Sequence, residues 1–183
     1  METTHSRRSR RPPRRLDAEA LWAYAVKTLA GRAHSTGELR RKLALKAEIA
    51  ADIPSVISRL RDYGYLNDKR FAENFAGARL ENQGLGAGRV LRDLRQRQVA
   101  SPVAESAVRQ AYENVDEMNL IEDFIDRKLR GKTLDDPKVL ASAYRRLMHA
   151  GFASGHIITV LKRRAKDAEA LDSFEPPDES EAE

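Results

Sequence analysis

The sequence predicts an all-α protein, three tandem three-helix repeats stacked into an elongated, curved array. Three observations predict it. Apolar residues recur at i, i+3, i+4 and i+7 through nearly the whole body of the chain, the spacing of amphipathic helices. The chain matches itself at shifts of 51 to 53 residues, a period that indicates helical repeats. No alternating apolar run is long enough for a sheet.

In order, Met1 to Arg15 has little apolar content and two adjacent prolines, so residues 1–16 are expected to be a disordered basic arm. It serves either as a solubilising leader or as a phosphate-contacting segment. The first repeat is predicted over 17–66. Asp17 caps its first helix, with Leu21, Tyr24, Ala25, Thr28 and Leu29 on one face. Ser35 and Glu38 have capping-box spacing and start the second, which carries Leu39 and Leu43. Asp52 and Pro54 open the third, with Ile53, Val56, Ile57 and Leu60 inward, because first-turn amides tolerate proline.

Gly64 fits the left-handed position that ends a helix, and Asn67 or Asp68 can cap the next. The second repeat, 67–115, is read as helices over 68–83, 86–98 and 101–114. Phe71, Phe75 and Ala78, flanked by Ala72 and Ala76, form the expected inward stripe of its first helix. Val90, Leu91 and Leu94 begin the next. The third repeat, 116–167, is read as helices over 116–130, 136–150 and 154–166. Leu120, Ile121, Phe124, Ile125 and Leu129 face inward on its first helix, and Leu140, Ala143, Tyr144 and Leu147 on its second. Ile157, Val160 and Leu161 do so on the third. Residues 168–183 are expected to be a disordered acidic tail.

The period shows residue by residue. Leu39 falls on Val90, Leu43 on Leu94 and then Leu147, Tyr24 on Phe75, and Ile57 on Val108 and then Leu161. Each repeat holds a small core, so stacking on neighbours is expected to contribute stability.

Composition narrows the function. With 41% hydrophobic, 33% charged and 6% aromatic residues, the chain has a thin core under much solvated surface. The absence of cysteine excludes disulfides and thiolate chemistry, and fits a reducing cytoplasm. No apolar run approaches the roughly 18 residues of a membrane span, and the arginine-rich start lacks the apolar core of a secretory signal. The net charge of +5 is segregated: residues 1–16 carry +5, residues 172–183 carry −6, and the middle carries +6. A basic body with an acidic tail suits a protein that meets nucleic acid or an acidic partner.

Catalytic signals are weak. Gly84, Gly86 and Gly88 are spaced GxGxG and follow a helix rather than a strand, so they read as a helix–helix turn, not a phosphate loop. His34 and Glu38 lack a nearby third metal ligand, and Ser35 as the cap leaves His34 outside the helix. Asp116, Glu117, Glu122 and Asp123 suit the start of a helix, where acids favour the macrodipole. No nucleophile elbow or Walker lysine loop is present.

What remains is basic charge on amphipathic helices. Arg40, Arg41, Lys42 and Lys46 mark the second predicted helix, Arg89, Arg92, Arg95 and Arg97 its equivalent in the next repeat, and Lys162, Arg163, Arg164 and Lys166 the ninth. Either these are ordinary solvated faces, or they form a shared basic ridge that grips phosphate backbone without reading sequence.

The segment Arg32-x-His34-Ser35-x-x-Glu38-Leu39-x-x-Lys42-Leu43 resembles the first-repeat signature of RecX regulatory proteins. Gly64-Tyr65-Leu66-Asn67-Asp68-x-Arg70-Phe71-Ala72, followed by Arg79, Gly84, Gly86 and Arg89, resembles the second. The third is looser, kept mainly in Gly151-Phe152 and the following helix. The likeness covers roughly residues 18–165, and Asn67 stands where the family usually has aspartate, a change that still permits capping.

The resemblance implies a cytoplasmic bacterial protein that binds the RecA filament on single-stranded DNA. It would mainly inhibit recombination, ATP hydrolysis and SOS-repressor cleavage, with no catalytic residue, cofactor, metal or membrane, and act as a monomer. It adds Arg70 and Arg79 to the candidate contacts with RecA or DNA. The alternative is an autonomous, sequence-independent nucleic-acid-binding helical protein.

Overall fold

The computed structural model describes residues 15–128 and 136–165. The expectations for residues 1–14 of the arm, the acidic tail, Leu129, Arg130 and Lys166 fall on residues 1–14, 129–135 and 166–183, outside that description. Arg15 and Leu16, expected in the disordered arm, are instead ordered. The Leu16 amide donates to the Lys46 carbonyl at 2.8 Å, its carbonyl accepts from the Glu48 amide at 2.8 Å, and Arg15 donates to the Ala47 carbonyl at 3.1 Å. Among the described residues the protein is all-α, with nine helices and a single isolated backbone bridge between Leu16 and Ala47.

Capping decides where the first helices begin. In α1 (Ala18–Gly31) the Asp17 carboxylate accepts from the Ala20 amide at 2.9 Å. In α2 (Thr36–Ala44) the capping box is complete: Ser35 Oγ accepts from the Glu38 amide at 3.0 Å, and Glu38 Oε2 accepts from the Ser35 amide at 3.3 Å. Helix α3 (Asp52–Asp62) starts without a side-chain cap and ends at Gly64, whose φ of +71° is the left-handed turn that glycine enters without a Cβ clash.

The described residues up to Asn67 form one compact unit. Its core gathers Leu21 from α1, Leu39 and Leu43 from α2, and Ile57 and Leu60 from α3, all almost fully buried.

The second unit begins at Asp68 and holds α4 (Asp68–Gln83), α5 (Ala87–Gln96), α6 (Ser101–Tyr112), α7 (Glu117–Lys128), α8 (Pro137–Ala150) and α9 (Ser154–Arg164). It contains two cores. Helices α4 to α6 close over Ala72, Ala76, Val90, Leu94, Ala104 and Val108. Helices α7 to α9 close over Ile121, Phe124, Leu140, Leu147, Ile157 and Leu161.

The inward face of α4 differs from the expected stripe. Ala72 and Ala76 are the buried pair, Phe71 and Phe75 are half-buried, and Ala78 is exposed. The reason is steric. Helix α4 packs on the alanine face of α6, where methyl groups fit and phenyl rings do not. The rings move to the rim and stack with centroids 6.1 Å apart, and the Arg79 and Arg97 guanidinium groups cover Phe75 at 4.8 and 4.9 Å.

A backbone joint ties α5 to α8. The Gly86 amide donates to the Ala150 carbonyl at 2.9 Å, and the Gly88 amide donates to the Gly151 carbonyl at 3.1 Å. The positive end of α5 thereby meets the negative end of α8. A Cβ on Gly86 would lie 2.4 Å from Gly151 O, so only glycine permits the approach. Gly84 and Gly86 do lie in a helix–helix turn, Gly88 falls in the first turn of α5, and Gly86 and Gly88 are also this joint.

Candidate functional site

Above the joint, α4, α5, α7 and α8 enclose a cleft of about 410 Å³. Arg79 and Gln83 reach it from α4, Arg89 and Asp93 from α5, Phe124 and Lys128 from α7, and Arg146 and His149 from α8. Helical spacing explains the convergence. Arg79 and Gln83 are four apart, as are Arg89 and Asp93, so each pair occupies one face of its helix.

Four cations here face one carboxylate. Asp93 takes the Nε of Arg89 at 2.9 Å and stands 3.8 Å from Arg79, whose other nitrogen donates to Gln83 Oε1 at 2.7 Å. These bonds hold two guanidinium groups in place at the cleft. Lys128 and Arg146 are exposed and join no ion pair among the described residues. The surplus is positive, and planar guanidinium forks match carboxylate or phosphate oxygens in pairs. The cleft therefore carries the charge and the donors that an anion would require.

Other features brace it. The Tyr112 hydroxyl donates to the Leu85 carbonyl at 2.6 Å, pinning α6 to the turn that forms the cleft floor. Burial, with Glu117 adding to it, pushes that phenol up to about 12. Arg89 and Arg92 each approach the His149 carbonyl at 3.4 Å, where cations favour the end of α8.

The predicted contact residues divide. Arg79 and Arg89 line the cleft and Arg92 sits beside it. Arg95 pairs with Glu105 at 3.1 Å, and Arg97 lies over Phe75. Arg70 is exposed in the first turn of α4, away from the cleft lining. Arg163 pairs with Glu122 at 3.1 Å, and Arg164 grips Asp126 at 2.5 and 3.1 Å, clamping α9 to α7. The hydrogen bonds to Asp126 raise the Arg164 pKa above its ordinary value against a smaller effect of burial. Lys162 is exposed on α9. Arg40 and Arg41 are exposed on α2, and Lys42 and Lys46 half-buried, in the other unit.

Sequence reasoning missed Lys128, Arg146 and His149. The repeat offset that puts Leu94 on Leu147 also puts Arg92 on Arg145 and Asp93 on Arg146, and that was the available signal. Among the described residues no group of three or more His, Asp or Glu could hold a metal ion, and no helix is long and apolar enough to cross a membrane.

Comparison with known proteins points one way. A family model described as "RecX, second three-helix domain" matches residues 67–108. The regulatory protein RecX of Vibrio campbellii is 31% identical over 143 residues, covering 78% of this chain and 90% of that protein. The regulatory protein RecX of Deinococcus radiodurans is 32% identical over 176 residues, covering 95% of this chain and 79% of that one. The crystal structure of RecX from Lactobacillus salivarius superposes with a TM-score of 0.60 over 86% of this chain and 97% of that one. At 18% identity, that likeness is one of fold.

Proposed function

Because the chain belongs to the RecX family of regulatory proteins, we propose that it binds the RecA filament on single-stranded DNA and restrains its activities. Those are strand exchange, ATP hydrolysis and the cleavage of the SOS repressor. It acts in the cytoplasm as a monomeric regulator rather than an enzyme.

The observation that carries this reading is the four-cation cleft where the second and third repeats meet. A regulator of a nucleoprotein polymer has to grip anionic groups, either carboxylates of the protein or phosphates of the strand. Arg79 and Arg89, held by Asp93, present such a grip already formed, which lowers the ordering cost of binding. Further cations in the first unit, Arg40, Arg41, Lys42 and Lys46, would let one chain touch successive protomers. Linked weak contacts then gain by effective concentration.

Titrating the protein into RecA hydrolysing ATP on single-stranded DNA tests this. Inhibition should be complete well below one chain per RecA protomer. Unchanged hydrolysis at every ratio, with folded protein, would contradict the proposal.

The runner-up is an autonomous nucleic-acid binder, favoured by the exposed Lys128 and Arg146. It requires tight DNA binding without RecA that falls steeply with salt, as counterion release demands.

A further inference from the structure

The composition promises few aromatic platforms, yet the first unit builds one. Trp22 on α1 meets Tyr63 at the end of α3 with ring centroids 5.7 Å apart, and Tyr63 meets Tyr65 at 6.3 Å. The Arg59 guanidinium covers the Trp22 ring at 4.2 Å. The row is fixed by the helix stop between the tyrosines. Gly64 turns left-handed, the Tyr65 amide donates back to the Leu60 carbonyl at 2.8 Å, and Leu66 drops into the core.

Tyr63 and Tyr65 nevertheless stay outside that core, 66% and 54% exposed. Leu60 and Leu66 already provide the local burial, so the two rings add little to folding. Successive ring planes are tilted by 57° and 35°, so the faces fan outward rather than making one flat apolar slab. Arg59, Arg61, Asp62 and Asn67, close to the two tyrosines in the chain, are all exposed. An open row of ring faces beside two arginines suits a ligand that carries a π face and an anion in each unit.

We propose that Tyr63 and Tyr65, backed by Trp22 and Arg59, form a base-stacking platform for single-stranded nucleic acid. The bases stack on the tyrosine rings, and Arg59 and Arg61 meet the phosphates. Stacking of this kind tolerates any sequence, because every base has a π face. The platform shares no residue with the basic cleft, and it rests on the function proposed above only for the single-stranded setting.

Trp22 is the single tryptophan of the chain, so its emission reports on the platform directly. The full-length protein is titrated with a short oligothymidylate, and separately with inorganic polyphosphate as an anion without bases. Oligothymidylate should quench Trp22 more strongly than polyphosphate, which meets Arg59 over that ring but stacks on no tyrosine. The double variant Tyr63→Leu, Tyr65→Leu should lose about 5- to 150-fold in oligothymidylate affinity for each ring that stacks a base. Its helicity and polyphosphate affinity should stay unchanged, and the phenylalanine pair should retain binding.

Wild-type oligothymidylate affinity in the leucine variant would overturn the proposal, as would equal quenching by polyphosphate. So would bound oligonucleotide with unchanged Trp22 emission, or no oligonucleotide binding at low salt. If the leucine variant instead loses RecA-filament binding with DNA affinity intact, the face contacts protein and the platform is wrong. Inhibition of RecA by the wild-type chain is read separately, so failure here leaves that function standing.

Discussion

His34 lies just outside α2 and is 5% exposed, with Nδ1 at 3.4 Å from Glu38 Oε2, longer than a normal hydrogen bond. Burial lowers its pKa below the ordinary 6.5; Arg32 and Lys42 push the same way, and Glu38 opposes them. The folded state therefore binds the proton less readily than the unfolded chain does. Stability from this group is complete above about pH 6.5 and is lost as pH falls from there through the lower folded value. The denaturation midpoint of the wild type should drop between about pH 7.5 and pH 5, and His34→Gln should flatten part of that drop. An identical pH dependence in the variant would mean that His34 is not buried neutral. The spacing of His34 and Glu38 was plain in the sequence, and so was the cap. The burial was not, because it depends on how the turn folds over the core.

At the scale of elements, the α5–α8 joint depends on glycine at two facing positions. A Cβ at Gly86 would meet Gly151 backbone atoms at 2.4 and 2.5 Å, and backbone cannot swing aside as a side chain can. Gly86→Ala should therefore part the two repeats at a cost of about 1–3 kcal/mol, as overpacking does. Thermal unfolding followed by circular dichroism should show a midpoint several degrees lower, and an unchanged midpoint would mean that the joint is open in solution. Helix identity was legible here from period and punctuation: Gly64, Gly84 and Gly151 all take positive φ at helix ends. The face of α4 was less so. Phenylalanines look like core in a one-dimensional pattern, and only the close approach of α6 shows why Ala72 and Ala76 fill the interior instead.

At the scale of the whole molecule, a charge count could say that the body is basic but not which cations converge. Arg79 and Arg89 were found by their motif, whereas Lys128 and Arg146 come from another repeat and reach the cleft only through packing. Within the expected ridge Arg95 pairs with Glu105, and Arg164 pairs with Asp126. The aromatic row of the first unit was hidden for the same reason, since Trp22 lies about forty residues from its partners. The central claim is that this chain grips a RecA–DNA polymer through convergent cations. Sedimentation of RecA filaments assembled on single-stranded DNA, with wild-type chain or the Lys128→Glu, Arg146→Glu variant added, tests it most directly. The wild type should pellet with the filament, and the variant, equally helical, should stay largely in the supernatant. A wild-type chain left in solution, or a variant that pellets as well as the wild type, would contradict the account.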